Sequence, residues 1–211
     1  MALHRRRFRT NRRARGNIHW PEPSGWTVLH RVRAGMASMK NGWIWHWSDL
    51  GIDLLVSSAV ASVFEQNRQR LPQRERGGLL FVDPCHPHSL TLCYASPPHS
   101  DDRHGIFSLT INAERARRDI EVANRNGHRL VGYWHTHPQS VPELSCTDIS
   151  SFRELAQLNP ETLPMPLAVI VGYSRSTDGI RAWSIRPSGI LRAETMLLQD
   201  DLSHRLKAPK R

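Results

Sequence analysis

The 211-residue chain has no apolar run near the roughly 20 residues that a membrane-spanning helix needs, so no membrane anchor is expected. An apolar signal region is missing too; the N-terminus is crowded with arginine instead. Cysteine is scarce. Cys85, Cys93 and Cys146 are odd in number and form no C-x-x-C pair, which excludes a disulfide framework and a cysteine-built metal knuckle. They read as reduced thiols in a cytoplasmic protein. No internal repeat is visible, which argues against a solenoid. Acids are nearly absent from residues 1–38, where nine Arg face only Glu22. Most of the formal net charge of +10 therefore belongs to that segment. The remaining chain is close to neutral, which speaks against nucleic-acid binding by the main body.

Residues 1–38 carry no sustained apolar period and read as a basic, disordered segment. Three accounts fit it: an arm for nucleic acid or an acidic partner, an organellar presequence, or residues ahead of a true start at Met36 or Met39. The last is the expectation. Residues 39–200 then form one domain, and 201–211 a fraying tail.

Along that domain, Trp43 to Trp47 alternates aromatics and reads as a first strand. Ser57 or Ser58 caps a helix to about Arg70, ended by Pro72. Strands are expected at 77–82, 89–95 and 105–111. Asn112 caps a helix over 113–126, stopped by Gly127. Its arginines, Arg115 among them, read as a solvated face, and Asp101 and Asp102 as a solvated acidic loop. Further strands are expected at 167–173, 179–186 and 189–196. Strands interleaved with three helices predict an α/β fold, one domain with a mixed sheet flanked by helices.

The chemistry concentrates between Arg129 and Asp148. Leu130, Val131, Tyr133 and Trp134 make a buried strand that ends before Pro138. Side chains two apart on a strand share a face, so His135 and His137 present two imidazoles together. Such a pair suits zinc, and Asp148 offers a third, oxygen ligand, a set that leaves one coordination position for water. Ser145 and Asp148 also fit a helix start, Ser145 as N-cap and Asp148 as the acid of a capping box, for a helix over Cys146–Leu158. The two readings are compatible, since a helix start would hold Asp148 rigidly beside the strand end. Cys146 lies within that first turn and reads as structural. His86 and His88, and the loop histidines His99, His104 and His128, read as surface residues.

The order His-x-His-Pro, six residues, Ser, two residues, Asp resembles the metal motif of the JAMM (MPN+, Mov34/PAD-1) metalloproteases. The resemblance spans roughly Trp43 to Arg186. It implies a JAMM-type sandwich similar to the cytidine-deaminase fold, one Zn2+ per chain on His135, His137 and Asp148, and an upstream general base. Glu75, ahead of Gly77-Gly78, fits that base, which takes a proton from the metal-activated water. Read without the motif, Glu75 would be a solvated acid among Arg70, Arg74 and Arg76. The glycine pair favours the site, because it lets backbone pass close to another element. Ser145 would donate a hydrogen bond to the water or the oxyanion. Trp134 or loop 139–144 is a candidate groove wall.

The wording Gly-Tyr-Trp-His-Thr-His-Pro looks most like the prokaryotic branch. Members there are encoded with ubiquitin-activating and ubiquitin-conjugating-like enzymes, as in CBASS anti-phage operons, where the peptidase strips conjugates from a nucleotidyltransferase. The implied activity is cleavage of the amide at the C-terminus of a ubiquitin-like protein or of a conjugated nucleotidyltransferase. Maturation of a ubiquitin-like or sulfur-carrier precursor uses the same chemistry and stays open. A non-catalytic MPN scaffold would have lost part of the Glu75, His135, His137, Ser145 and Asp148 set.

Overall fold

The computed structural model describes residues 42–85 and 90–197. The N-terminal segment 1–38, His86, His88 and the tail 201–211 lie outside the described residues. Eleven strands and three α-helices follow one another: β1 (Trp43–Trp47), β2 (Ile52–Val56), α1 (Ser58–Gln66), β3 (Gly77–Asp83), β4 (Leu90–Ala95), β5 (Arg103–His104), β6 (Leu109–Thr110), α2 (Ala113–Arg125), β7 (Arg129–Thr136), α3 (Cys146–Leu158), β8 (Leu167–Val171), β9 (Ile180–Arg186), β10 (Gly189–Arg192) and β11 (Glu194–Leu197).

Nine strands build one mixed sheet in the order β10-β9-β8-β7-β3-β4-β2-β1-β11. Its parallel pairs are β2 with β4 and β7 with β8. The fold is thus a single-domain α/β sandwich, as the pattern of strands and helices predicts. β3 and β8 are buried almost throughout, so both faces of the sheet are covered there. On one face Trp45, Val60, Phe64, Leu80, Trp134 and Val169 form the largest core around α1, and Phe64 meets Trp134 edge-on with ring centroids 5.6 Å apart. Burying each such aromatic stabilises by about 1.5–3 kcal/mol. The other face packs on α2 through Leu79, Phe81 and Ala123, and on α3 through Phe152, Ala168 and Ile170. Tyr133 touches both of these clusters.

The helices begin as their caps dictate. The Ser57 hydroxyl accepts from Val60 N–H, and Asn112 Oδ1 accepts from Glu114 and Arg115 N–H. Gly127, at φ 83°, takes the left-handed turn after α2. The helix α1 stops at Gln66 rather than near Arg70, because Asn67 closes it and Nδ2 of Asn67 donates to Val63 O.

Four expectations need correction. The stretch 105–111 is not one strand: Gly105 N–H donates to Ser108 O, and the resulting turn leaves Ile106 and Phe107 exposed between the two-residue strands β5 and β6. The segment 189–196 is two strands at opposite edges of the sheet, since β10 pairs with β9 while β11 pairs with β1. Asp102 is not a solvated acid, nor Arg115 part of a solvated face. Arg115, 3% exposed, donates to Asp102 Oδ2, Ser96 Oγ and Pro97 O, and Asp102 Oδ1 accepts from Asn112 N–H. The pair ties α2 to the 96–104 loop. Strand β2 was not expected at all; it fills the space between β1 and β4. Among the described residues no helix is long and apolar enough to cross a membrane.

Candidate metal centre

The end of β7 carries the imidazoles. His135 pairs with Ile170 of β8 on one side and with Gly77 of β3 on the other. One step on, His137 N–H donates to Val171 O, which keeps the chain extended past Thr136. The period of two then puts Tyr133, His135 and His137 on the α2/α3 face, and Trp134 and Thr136 on the α1 face. Trp134 is accordingly no groove wall. It is fully buried in the core, with Nε1–H on Ser96 O.

Helix α3 brings the third group. Ser145 Oγ accepts from Asp148 N–H, and Asp148 Oδ2 accepts from Ser145 N–H at 2.8 Å and from Ser145 Oγ–H at 2.6 Å. This reciprocal cap fixes the carboxylate at the helix start, where the helix dipole also favours its charge. The helix-start expectation for Ser145 and Asp148 thus holds.

His135, His137 and Asp148 converge, all three buried. Nε2 of His135 and Nε2 of His137 are 3.2 Å apart, His135 Nε2 is 3.3 Å from Asp148 Oδ1, and His137 Nε2 is 3.4 Å from Asp148 Oδ2. Ligands held tetrahedrally at about 2.0–2.1 Å from a zinc ion stand about 3.3–3.4 Å from one another. The donors present therefore fit zinc in type and number, and one ligand atom from each lies within 4.8 Å of the others. Gln139 adds to the fit. Its Oε1 accepts from Glu143 N–H at 3.2 Å and lies 3.4 Å from His137 Nδ1. With the Nδ1 proton directed there, Nε2 keeps its lone pair for a cation. Burial works against the charge on Asp148. Contacts with the His135 and His137 imidazoles and with the Ser145 hydroxyl outweigh it and hold the carboxyl well below the usual carboxylate range.

Glu75 arrives from the other side of β7. Gly77 lies opposite His135, and Thr136 N–H donates to Arg76 O at 2.9 Å. Glu75 lies where the ladder ends, two residues before the Gly77–His135 pair, and its N–H donates to Gly105 O at 2.7 Å. Glu75 is 1% exposed, so the solvated-loop alternative does not hold. The glycine pair permits this approach. A Cβ on Gly77 would collide with Leu109 and with Trp134 O and reach 3.1 Å from His135 Cβ; one on Gly78 would collide with Ser96 O.

Sequence reasoning missed three neighbours. His104 is no loop bystander: its Nδ1 lies 2.8 Å from Glu75 O and its Nε2 3.0 Å from His99 O. Gln69 and Thr136 hydrogen-bond to each other beneath the site. The alternation along β7 predicts the facing of Thr136. Nothing local marks Gln69 or His104, whose partners are remote in sequence. Cys146 is exposed, and its carbonyl accepts from Ser150 Oγ–H within the helix.

Comparison with known proteins bears on the family and the fold. Residues 57–186 match the family described as prokaryotic homologs of the JAB domain. The solution structure of protein DSY2949 from Desulfitobacterium hafniense superposes with a TM-score of 0.50 at 17% identity, covering 73% of this chain and 98% of that one. That likeness speaks for the fold alone. No curated protein matches the chain. The family match takes in most of the sheet, all three helices and each of Glu75, His135, His137, Ser145 and Asp148, and on it the chain belongs to the prokaryotic homologs of the JAB domain.

Proposed function

We propose that this chain is a zinc-dependent peptidase or isopeptidase. The observation that carries the reading is the convergence of two buried imidazoles and a capped carboxylate, their nearest polar atoms 3.2–3.4 Å apart; Glu75, buried two residues before the Gly77 that pairs with His135, is the base we assign to it. His135, His137 and Asp148 would hold the metal. Zinc bound there supplies a Lewis acid that brings the pKa of a water to about 7 and polarises the scissile carbonyl. Glu75 takes the proton from the attacking water and returns it to the leaving amine. Ser145 holds Asp148 in place; its hydroxyl hydrogen lies on Asp148 Oδ2, so service as an oxyanion donor requires that hydrogen to turn toward substrate.

The substrate we propose is the amide at the C-terminus of a ubiquitin-like protein or of a conjugated nucleotidyltransferase, joined to a lysine. Ubiquitin-activating and ubiquitin-conjugating-like enzymes would act in the same pathway, and anti-phage defence is the proposed setting. Family membership supports a peptidase or isopeptidase; the substrate, partners and setting are proposed on the resemblance of the motif wording around His135. The test is metal analysis together with cleavage of a quenched-fluorescent peptide bearing a carboxyl-to-lysine isopeptide bond. One zinc per chain and turnover that Glu75→Gln lowers by about 100- to 10,000-fold are expected. Absence of stoichiometric zinc, or near-normal turnover by Glu75→Gln, would refute the reading.

A further inference from the structure

We propose that Thr136 and Gln69 form a positioning pair that fixes, from the back of the sheet, the backbone segment bearing Glu75. The inference rests on Glu75 being the general base of the function proposed above.

The last rung between β3 and β7 is irregular. In a regular antiparallel pair, Thr136 and Arg76 would exchange two backbone hydrogen bonds. Only one is made, from Thr136 N–H to Arg76 O. Arg76 N–H instead donates to the Thr136 hydroxyl at 3.0 Å. The side chain thus replaces its own carbonyl at the point where the chain leaves the ladder toward Glu75. The Thr136 hydroxyl in turn donates to Gln69 Oε1 at 2.8 Å.

Gln69 is fully buried. Its Nε2 donates to Gln73 O at 2.7 Å and to Ile106 O at 3.0 Å. Both amide hydrogens and the oxygen are in use, which leaves one orientation for the amide. Gln73 lies two residues before Glu75 in sequence. Ile106 adjoins Gly105, whose carbonyl accepts from Glu75 N–H at 2.7 Å. One chain of bonds therefore grips the backbone before, at and after Glu75.

Thr136 faces away from His135 and His137 by strand alternation, so the pair reaches the reaction only through Glu75. A misplacement of a reacting group by about 1 Å can cost about 100-fold in rate.

The experiment compares Thr136→Val, Thr136→Ser, Gln69→Leu and Glu75→Gln as full-length, zinc-loaded protein. It reads zinc content, kcat and KM on the same isopeptide substrate, and amide hydrogen exchange at residues 73–76. We expect Thr136→Val and Gln69→Leu to lower kcat by roughly 10- to 100-fold. Zinc stays at wild-type stoichiometry and KM changes less than about twofold, as for a loss confined to the transition state. Exchange at Arg76 should rise in Thr136→Val, and Thr136→Ser should restore both kcat and protection. Added to Glu75→Gln, neither substitution should cost more. An inactive Glu75→Gln beside wild-type kcat in both Thr136→Val and Gln69→Leu overturns the positioning pair alone, as does loss of zinc in step with kcat or failure of Thr136→Ser to rescue. Normal turnover by Glu75→Gln overturns the general-base reading and this inference with it.

Discussion

Gly77 lies directly across the ladder from His135, so close that a Cβ on Gly77 would come within 3.1 Å of the His135 Cβ while colliding with Trp134 O. The strand that precedes the site thus depends on a missing side chain. Gly77→Ala should destabilise by about 1–3 kcal/mol, the usual cost of overpacking a filled core. Because the obstacle is backbone, β3 must shift and take Glu75 with it. Urea unfolding and zinc content measured together check this; an unchanged midpoint with full activity would contradict it.

Glu75→Gln and His137→Ala should separate chemistry from metal binding. The first keeps zinc and loses about 100- to 10,000-fold in kcat, the span general acid–base groups supply. The second loses both. Zinc quantification beside the cleavage assay distinguishes them.

Chelation should act on wild-type protein as His137→Ala does, and reversibly. Treatment with EDTA followed by gel filtration is expected to abolish cleavage and lower the melting temperature. A cation that binds only the folded state adds stability through mass action, so readded zinc should restore both. A melting curve indifferent to zinc would count against the metal centre.

Arg115 and Asp102 form a buried ion pair with Ser96, Pro97 and Asn112 around it. Arg115→Met leaves the Asp102 carboxylate without its cation, and breaking one side of such a pair costs about 3–5 kcal/mol. The double change Arg115→Met with Asp102→Leu should recover part of that loss. Chemical denaturation of the four proteins gives the coupling.

Burial pushes the Tyr133 phenol up to about 12. Unfolded phenols titrate near 10, so the folded chain holds this proton more tightly. The stability it contributes is whole below about pH 10 and is lost as pH rises toward about 12. Wild type should therefore lose stability relative to Tyr133→Phe across that window, measured by urea unfolding at stepped pH. Parallel curves would contradict it.

Local signals were legible in the sequence where a cap or a period spoke alone. Ser145 and Asp148 announced α3 with its bounds, and Asn112 and Gly127 framed α2. The pairing of His135 with His137 followed from strand alternation, and the same rule excludes Trp134 as a wall. What stayed hidden depends on distant partners. Arg115 looks solvated until Asp102 and Ser96 surround it. Residues 105–111 alternate like a strand, yet the Gly105–Ser108 turn leaves Phe107 53% exposed. Gln69 is an ordinary polar residue after a helix until Thr136 and Ile106 close on it.

The two rims of the sheet are occupied by consecutive strands, β10 and β11, with Ala193 alone between them. Ala193 N–H donates to Ala182 O, Trp47 Nε1–H to Leu191 O, and Trp43 lies opposite Leu197. Both seams are therefore sewn by one short stitch, made only once residues 189–197 are in place. Until residue 197 has left the ribosome, β1 and β9 each keep an open flank, and the tryptophans of β1 wait for partners synthesised some 150 residues later. A ribosome stalled short of that point would hold a nascent chain with sticky strand flanks, a natural client for chaperones that shield exposed β-edges.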